Sequence, residues 1–316
     1  MSEPLVSIIV RTKDRPRLLM KALWSIFAQT YRPLEVILVN DGGCDLDIDE
    51  IKGTLQDVSL NYVRLEKNTG RAHAGNVGID NAKGEYVGFL DDDDELYSEH
   101  LTAIVSVLKN TDCKIAYTDS EIIFGSYNFG TMEFTETGRR VFSSKDFSAN
   151  DLLIENYIPL ITILFNKDIF LVEKGFDEEF EAYEDWDLLI RCGLKHPFYH
   201  IKMVTTKYVQ WNRELQIAQS SEYAGILERE YDRVLQKHAV KYVPGVVRFC
   251  RDSLAGLKAA VLERDTRIEI LITTNKDLQC KVSERDEYIR FLQSGRGWRL
   301  LSKYYKVRDR LLKVFH

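Results

Sequence analysis

Four consecutive aspartates at positions 91–94 follow the short apolar run 86–90. Two unit charges about 4 Å apart repel by roughly 1 kcal/mol in water and by about 4 kcal/mol near a protein surface, so such a cluster needs a compensating cation. Carboxylate oxygens suit Mg²⁺ or Mn²⁺, and Mg²⁺ commonly takes one or two carboxylates together with substrate phosphates. The alternative interpretation is a solvated acidic turn. The apolar run favours a metal site, because open α/β sheets bind ligands at the carboxyl ends of their strands.

Other polar side chains that could bind a substrate follow two further apolar segments. Arg11, Thr12 and Lys13 come directly after residues 5–10, and Asp41 follows residues 34–39. Because the carboxyl ends of neighbouring parallel strands meet at one edge of a sheet, these groups are expected to converge with the aspartates. Convergence of this kind is what a nucleotide crevice requires.

Two charged residues at predicted helix starts have two interpretations each. Arg71 precedes a helix predicted at 72–82, where backbone amides favour an anion and a guanidinium could clamp a phosphate. It is equally interpretable as a surface arginine paired with an acid. Asp185 lies in the acidic start of a predicted helix, where carboxylates are commonly stabilised by the helix dipole. It is also a candidate general base, provided that it faces a cleft.

The sequence also predicts the scaffold that positions these groups. Over the first 95 residues, apolar β-branched runs alternate with helical patterns. Strands are predicted at 5–10, 34–39, 60–65, 86–90, 114–117, 121–124 and 156–165, with a loop between the second and third. Asp14 is expected to cap the first helix, and Asp94 the helix after the aspartate cluster. The pattern predicts an α/β fold with a mostly parallel central sheet and helices on both faces.

The composition excludes several classes of protein. With 316 residues, 45% of them hydrophobic, the chain can bury a substantial core in one or two domains. The net charge of −6 gives no reason to expect nucleic acid binding. Five cysteines without a CxxC pair indicate neither a zinc site nor a disulfide framework. The glycine fingerprint of dinucleotide folds and the phosphate loop of ATPases are both absent, so neither NAD binding nor ATP hydrolysis is indicated.

The N-terminal residues and the hydropathy predict a cytoplasmic protein. The start of the chain lacks a basic segment, and the apolar run 5–10 is too short for the core of a signal peptide. No segment reaches about 18 uninterrupted apolar residues, the length expected of a membrane-spanning helix. The cysteine usage fits the same reducing compartment.

A long helical pattern without proline follows residue 245. Its heptad positions a are Leu254, Val261, Ile268, Asn275, Val282 and Ile289, and its positions d are Leu257, Arg264, Leu271, Leu278, Arg285 and Leu292. β-Branched residues at a, leucine at d and one asparagine at a favour a parallel two-stranded coiled coil, so a homodimer through residues 254–292 is predicted. The alternative is a single amphipathic helix packed on the rest of the chain, because Arg264 and Arg285 suit a seam poorly.

Residues 294–316 form a basic amphipathic tail. Residues 296–316 contain seven Lys or Arg residues and one acid, Asp309, which gives this segment a net charge of +6. Aromatic and leucine residues alternate with the basic ones, a pattern suited to an anionic membrane surface at about 1 kcal/mol per basic residue. The tail therefore predicts either peripheral attachment to the inner face of the cell membrane or docking on the protein's own acidic body.

Four motifs together resemble the family 2 glycosyltransferases with the GT-A fold. They are VSIIVRTKDRP, VILVNDGG, NTGRAHAGNVGIDNAKGEYVGFLDDDD and GFDEEFEAYEDWDLLIR, and the resemblance extends over roughly residues 5–211. It implies an inverting transfer of a sugar from a nucleotide-diphosphate sugar to an acceptor hydroxyl, with Mn²⁺ or Mg²⁺ as cofactor. The acceptor is expected to be a glycan or a lipid-linked sugar of bacterial surface polysaccharide synthesis.

The resemblance also implies a role for each matching residue. Arg11, Thr12, Lys13, Asp41, Arg71, Asp91 and Asp92 would bind the nucleotide sugar, Asp93 together with Asp91 would ligate the metal, and Asp185 would deprotonate the acceptor. Where many relatives have Pro-Thr-Tyr-Asn after the first strand, this chain has Arg-Thr-Lys-Asp, which leaves the base of the nucleotide open. The implied domains are a catalytic domain at 1–245, a coiled-coil arm at 246–293 and the tail at 294–316.

Two other functions are consistent with parts of this pattern. A non-catalytic protein that binds nucleotide sugars could use the coiled coil as a scaffold, but the complete set of acids at Asp91, Asp93 and Asp185 disfavours it. A nucleotidyltransferase would need a glycine-rich basic phosphate loop after the first strand, which is absent.

Overall fold

The computed structural model describes residues 3–128, 133–142, 145–211 and 221–295, together with residues 297, 299, 300, 302–304 and 306. The chain divides into two compact units, residues 1–247 and 248–316. The first unit is an α/β structure around one central sheet, which confirms the predicted fold class. The domain boundaries predicted at residues 245 and 293 stay predictions.

The first part of this unit alternates strands and helices. The strands are β1 (Val6–Thr12), β2 (Leu34–Asp41), β3 (Ser59–Leu65) and β4 (Tyr86–Asp91), and the helices are α1 (Pro16–Phe27), α2 (Ile48–Leu55) and α3 (Arg71–Asn81). Every residue of β1 and β2 is buried, as expected for parallel strands that helices cover on both faces.

The second part contains three long strands, β6, β7 and β9, among shorter elements. It comprises β5 (Glu95–Leu96), α4 (His100–Asn110), β6 (Ile115–Asn128), β7 (Glu133–Phe142), α5 (Ala149–Leu152), a 3-10 turn (Leu160–Thr162), β8 (Ile163–Asn166), α6 (Asp168–Glu173), α7 (Glu184–Gly193) and β9 (Phe198–Trp211). The long helix α8 (Ser221–Gln293) follows.

The order of strands in the described sheet is β3-β2-β1-β4-β8-β6-β9-β5, and β7 pairs with β6. The strands β3, β2, β1 and β4 are parallel. Beyond β4 the sheet is mixed, because β8 is antiparallel to both β4 and β6 while β9 is parallel to β6. Arg11 lies opposite Asp91, and Thr12 opposite Asn40, in this register. The carboxyl ends of β1, β2 and β4 therefore share one edge.

The alternation of side chains along the parallel strands separates two hydrophobic cores. Ile8 and Val10 pack in one core with residues of α1, α2 and α4. Ile9 packs in the other core with residues of α3, α6 and α7. This arrangement confirms the predicted helices on both faces, and it attaches α7 to the same sheet that carries the aspartates.

Two predicted elements were wrong. Residues 48–55 form helix α2 where a loop was predicted, because Asp47 accepts hydrogen bonds from the backbone amides of Asp49 and Glu50 and caps the helix. Its apolar stripe is short, and Gly53 weakens the helical signal. The strand predicted at 156–165 is a 3-10 turn followed by β8, since Pro159 precedes the turn.

Two predicted helix caps were also wrong. Asp14 accepts a hydrogen bond from the backbone amide of Cys44 at 2.8 Å, and helix α1 has no side-chain cap. Asp94 accepts from the backbone amide of Val209 at 2.9 Å and does not cap α4. Both aspartates tie neighbouring segments together across the end of the sheet.

Residues 248–293 of the second unit are helical. Six apolar residues at the predicted heptad positions are between 40% and 61% exposed: Val261, Ile268, Leu271, Leu278, Val282 and Ile289. The side chains of Leu254, Leu257 and Leu292 lie outside the described residues, as does most of the basic tail. No helix in the described part of the chain is long and apolar enough to cross a membrane.

Candidate functional site

Two cavities open where β1 and β4 end. The strand-end cavity, of about 510 Å³, is lined by Thr12, Lys13, Arg15, Asp41 and Asp93, among others. The hairpin cavity, of about 340 Å³, is lined by Ser120, Ile122, Arg140, Phe142 and Asp185, among others. The two cavities share six lining residues: Arg11, Arg71, Asp91, Asp94, Tyr208 and Gln210. Two substrates bound one in each cavity would therefore lie next to each other.

A network of ion pairs forms part of this shared border. Arg11 Nη2 lies 2.6 Å from Asp91 Oδ1, and Arg11 Nη1 lies 3.3 Å from Glu184 Oε1. Arg71 Nη2 contacts the other oxygen of Glu184 at 2.8 Å. Burial acts to raise the pKa of Asp91, but the nearby Arg11 and Arg71 guanidinium groups hold it below its usual value. Asp91 is therefore ionised at neutral pH.

The next two aspartates contact Arg15, which was not among the predicted site residues. Arg15 Nη2 lies 2.7 Å from Asp92 Oδ1, and Arg15 Nη1 lies 2.9 Å from Asp93 Oδ2. Asp92 is fully buried and accepts a hydrogen bond from Thr12 Oγ1 at 2.7 Å. Its Oδ1 has no hydrogen bond of good geometry, so the short contact with Arg15 acts through charge.

The aspartate cluster is only partly compensated by these arginines. Burial raises the pKa of Asp92 to about 7, against the opposing effect of Arg15. Burial also raises the pKa of Asp93, and the Asp91 charge adds to this effect. Burial and the charges of Asp93 and Asp91 hold the pKa of Asp94 well above its usual value. A further cation near Asp93 would relieve this repulsion.

Asp41 is buried at the end of β2 and shapes the turn before α3. Its carboxylate accepts hydrogen bonds from the backbone amide and the hydroxyl of Thr69, at 2.7 and 2.8 Å, and from the amide of Gly70 at 3.0 Å. Gly70 has φ of 94°, which favours glycine. Because Asp41 also lines the strand-end cavity, it links the cavity wall to the start of the helix that carries Arg71.

Asp185 lies in the first turn of α7 and lines the hairpin cavity. Its Oδ1 accepts from the backbone amide of Trp186 at 2.7 Å, and Asn156 Nδ2 lies 3.5 Å from its Oδ2. Burial and the neighbouring Glu184 charge raise the pKa of Asp185 to about 6. A carboxylate with this pKa is ionised at neutral pH and is a stronger base than an exposed aspartate.

The start of α7 is held from two sides. Tyr183, which precedes the helix, has φ of 61°, a backbone conformation that costs energy in a residue other than glycine. One turn further on, the fully buried Asp187 contacts Arg191 at 2.8 Å and accepts a hydrogen bond from His238 Nε2 at 2.7 Å. These contacts fix the helix that carries Asp185.

The structure brings most of the predicted site residues together. Arg11, Thr12, Lys13, Asp41, Arg71, Asp91 and Asp93 line the strand-end cavity, and Asp185 lines the adjoining hairpin cavity. Asp92 lines neither cavity as described, and its predicted contact with the nucleotide stays a prediction. Arg15, Glu184 and Arg140 were not predicted, because their partners are distant in sequence. The alternation of Tyr208 and Gln210 along β9 was a usable signal, since it places both on one face of a strand.

Carboxylate oxygens at Asp93 and Asp91 fit a divalent cation. The raised pKa of Asp93 reflects burial among like charges that a cation would offset. No group of three or more His, Cys, Asp or Glu side chains suited to a metal occurs in the described ranges. Two carboxylates would leave the remaining positions to substrate oxygens and water, as is common for Mg²⁺.

The family model described as "Glycosyl transferase family 2" matches residues 7–166, more than half of the chain. The chain belongs to glycosyl transferase family 2. The match confirms the resemblance that the motifs carried. It includes β1 to β8 of this family 2 glycosyltransferase, and with them Arg11, Asp41 and the aspartate cluster, but it ends before Asp185.

Two relatives illustrate the extent of the similarity. The uncharacterized glycosyltransferase YwdF of Bacillus subtilis is 26% identical to this family 2 glycosyltransferase over 240 residues, which cover 76% of this chain and 86% of the relative. The GalNAc(5)-diNAcBac-PP-undecaprenol beta-1,3-glucosyltransferase of Campylobacter jejuni is 32% identical over 185 residues, 57% of each chain. In six relatives, this one included, the match covers between 20% and 64% of their own length.

Solved structures share the fold at low sequence identity. S. aureus TarS 1-349 in complex with UDP-GlcNAc has a TM-score of 0.57 and 16% identity, and the alignment covers 73% of this family 2 glycosyltransferase and 70% of TarS. The complex of the same TarS fragment with UDP has a TM-score of 0.54. At these identities the likeness shows the fold alone.

Proposed function

We propose that this protein is an inverting, metal-dependent glycosyltransferase that moves a sugar from a nucleotide-diphosphate sugar to a hydroxyl of a glycan or lipid-linked acceptor. One observation carries the proposal. The strand-end cavity with Asp93 and the hairpin cavity with Asp185 share the border formed by Arg11, Arg71 and Asp91. Donor and acceptor would thus meet with a base on the acceptor side and cation-binding carboxylates on the donor side.

The donor would lie in the strand-end cavity. Lys13 is exposed at the rim of this cavity, where its ammonium group would attract the diphosphate. Arg71 lies at the start of α3, where backbone amides also favour an anion. The names of two similar proteins support this choice of substrates: the TarS structure is a complex with UDP-GlcNAc, and the Campylobacter relative is named as a GalNAc(5)-diNAcBac-PP-undecaprenol beta-1,3-glucosyltransferase.

The reaction would be a single displacement at the anomeric carbon. The acceptor oxygen forms the new bond to that carbon while the bond from the carbon to the diphosphate oxygen breaks. Asp185 takes the proton of the acceptor hydroxyl, and the diphosphate leaves with the bonding electron pair. Attack from the face opposite the leaving group inverts the configuration, as in inverting glycosidases, where a carboxylate activates the nucleophile on that face.

Asp93 and Asp91 would hold Mn²⁺ or Mg²⁺ beside the diphosphate. The bound cation would act as a Lewis acid that neutralises the charge developing on the leaving group. Arg11 keeps Asp91 ionised and oriented through its contact at 2.6 Å. Arg15 contacts Asp93 at 2.9 Å, so this side chain has to share that carboxylate with the cation.

A screen of nucleotide sugars tests the proposal. Full-length protein is mixed with individual UDP, GDP, ADP and dTDP sugars and Mn²⁺, and binding is measured by thermal shift while release of the nucleotide diphosphate is measured by chromatography. We expect one donor to raise the melting temperature and to be hydrolysed slowly without acceptor. The Asp185→Asn variant should bind that donor but release much less diphosphate.

The same screen separates the enzyme from a scaffold that only binds nucleotide sugars. A scaffold would show a donor-dependent shift in melting temperature without release of diphosphate at any metal concentration. Release at equal rates from wild type and Asp185→Asn would contradict the role of Asp185. A lack of stabilisation by every donor would contradict the proposed donor site.

We also propose that the second unit forms a homodimer through residues 254–292. The described seam residues Val261, Ile268, Leu271, Leu278 and Val282 are 44–61% exposed, and an apolar stripe of this length is stabilised when a second helix covers it. A second copy of this chain suits the stripe because the pattern has β-branched residues at a, leucine at d and Asn275 at a. Light scattering should give a dimer for the full chain and a monomer for a variant with Ile268 and Leu271 changed to aspartate.

The tail at 294–316 is proposed to attach the protein to an anionic membrane surface, since the +6 charge of residues 296–316 is interleaved with aromatic and leucine residues. Flotation with phosphatidylglycerol vesicles, with and without the tail, tests this. Equal flotation of both forms would favour the alternative, docking on the protein's own acidic surface.

A further inference from the structure

Two paired strands form one wall of the hairpin cavity. In β6 and β7, Ser120 lies opposite Phe142 and Ile122 lies opposite Arg140. All four residues line the cavity. They lie on one face of the strand pair because alternate residues of a strand point to the same side. The wall therefore presents one cation, one hydroxyl and two apolar side chains towards the space that Asp185 also lines.

Two adjacent arginines of β7 differ in how their charges are compensated. Arg139, on the other face, contacts Glu136 at 2.7 Å and Glu121 at 3.3 Å. Arg140 lies over the ring of Phe124, with its guanidinium carbon 5.7 Å from the ring centroid. No carboxylate within the described ranges forms an ion pair with Arg140. The aromatic ring supports the guanidinium without neutralising its charge.

The other two arginines that line the hairpin cavity, Arg11 and Arg71, do form ion pairs with carboxylates. Arg11 contacts Asp91 and Glu184, and Arg71 contacts Glu184. These contacts use the charge of Arg11 and Arg71 to orient the carboxylates of the border. Arg140 lines the hairpin cavity and is not among the residues that line the strand-end cavity. Its charge is thus directed towards the acceptor side.

We infer that the hairpin cavity binds an acceptor that carries an anionic group, a phosphate or a carboxylate, and that Arg140 contacts this group. The inference rests on the proposed function, because it assigns this cavity to the acceptor. Ile122, Phe142 and Leu160 supply apolar surface on which a sugar ring can pack. The anion on Arg140 would hold the acceptor at one end while its hydroxyl reaches Asp185 at the other.

Three matched probes test the inference by direct binding. They are octyl glucoside, which is neutral, octyl glucuronide, which carries a carboxylate, and octyl-diphospho-glucose, which carries a diphosphate, each used below its micelle concentration. Binding to the full-length protein is measured by calorimetry in the presence of Mn²⁺ and a saturating nucleotide diphosphate, so that the strand-end cavity is filled. The two anionic probes distinguish a phosphate site from a carboxylate site.

We expect at least one anionic probe to bind about tenfold more tightly than octyl glucoside, the gain typical of a hydrogen bond to a charged group. Arg140→Gln should remove this preference, and Arg140→Lys should retain part of it. Arg139→Gln is the control, since Arg139 is the adjacent arginine and its charge is already compensated. It should keep the full preference.

Equal affinity of the wild-type protein for all three probes, or no detectable binding of any of them, would overturn the inference. So would an anion preference that survives Arg140→Gln. The outcome is separable from the donor screen: a preference that depends on Arg140 in a protein that transfers no sugar would contradict the proposed reaction but retain the anion site. Transfer without the preference would retain the reaction and reject the site.

Discussion

The strand-end cavity takes polar side chains from the ends of three parallel strands, whereas six of the nine residues that line only the hairpin cavity come from an antiparallel strand pair and the start of a helix. Thr12 and Asp41 are the last residues of the buried strands β1 and β2. Ile122 and Arg140 become neighbours only through the pairing of β6 with β7. The residues of the strand-end cavity are thus placed by the strands that carry them, whereas those of the hairpin cavity are brought together by the pairing of distant segments.

This difference fits a strand-end cavity that binds the donor and a hairpin cavity that binds the acceptor, as proposed above. A strand end fixes the position of a side chain through the backbone of the sheet, which suits a donor whose diphosphate needs defined geometry. A strand pair offers a broad face whose residues can change without moving the sheet. We therefore expect substitutions on the strand-end side to affect donor and metal binding, and substitutions on the hairpin side to affect the acceptor.

Asp185→Asn should give the largest effect and tests the acceptor side. The asparagine keeps the shape but cannot accept the proton of the acceptor hydroxyl, so kcat should fall by about 10²–10⁴-fold. The affinity for the donor, measured by calorimetry, should change little. Asp168→Asn, in the first turn of α6, is the control and should leave both quantities unchanged. A large loss of donor affinity in Asp185→Asn would contradict the assignment of Asp185 to the acceptor side.

Glu184→Gln tests the border that joins the two cavities. Glu184 is 1% exposed and contacts both Arg11 and Arg71. Without its charge, the buried Arg11 keeps Asp91 as its one ion-pair partner among the described residues, and the free energy of unfolding should fall by about 3 kcal/mol, the lower end of the cost of breaking a buried pair. Chemical denaturation measures this loss. Glu181→Gln, an exposed neighbour, should cost little, and an equally stable Glu184→Gln would show that the pairs are not structural.

Asp93→Asn tests the strand-end side. The asparagine is a weaker ligand than a carboxylate, so the affinity for Mn²⁺ in the presence of nucleotide diphosphate should fall by about a hundredfold. Paramagnetic resonance of free Mn²⁺ measures it. Binding of the octyl probes to the hairpin cavity should persist. Asp112→Asn, at an exposed position, is the control, and unchanged metal affinity in Asp93→Asn would exclude Asp93 as a ligand.

The pH dependence of transfer tests the state of Asp185. Because its pKa is raised to about 6 and a base must be deprotonated, kcat measured at saturating donor and Mn²⁺ should be constant at higher pH. It should fall about tenfold for each unit below pH 6. Donor affinity measured over the same range serves as the control. A rate that stays constant down to pH 5 would mean that the essential base has a lower pKa than Asp185.

Arg15→Gln should give the smallest effect. Arg15 contacts Asp92 and Asp93, so its charge opposes a cation at Asp93. Its removal should strengthen binding of Mn²⁺ in the absence of donor by about threefold to tenfold, a modest change because Arg15 is partly exposed to solvent. Arg17→Gln, two residues further on and exposed, is the matched control. Weaker binding of Mn²⁺ in Arg15→Gln would show that Arg15 instead orders the aspartates for the metal.

Much of the strand-end side could be predicted from the sequence. The apolar runs that end in Thr12, Asp41 and the aspartates identify strands, and parallel strands bring their ends to one edge. The predictions failed where local signals were weak or misleading, as in α2 with its short apolar stripe and at Asp14, whose side chain bonds to Cys44 rather than to a helix start. The preference of aspartate for helix N-caps is a local property, so it does not include a contact with a distant segment such as the one around Cys44.

The sequence by itself determined the family, the parallel half of the sheet and the convergence of the donor-side residues, because these follow from hydrophobic periodicity and from motifs in a fixed order. Only the tertiary structure decided that Arg11 and Glu184, 173 residues apart, form an ion pair, that Arg15 shares Asp93, and that Arg140 faces the cavity of Asp185. Such pairings depend on which strands and helices become neighbours, and the packing of the whole core sets that arrangement.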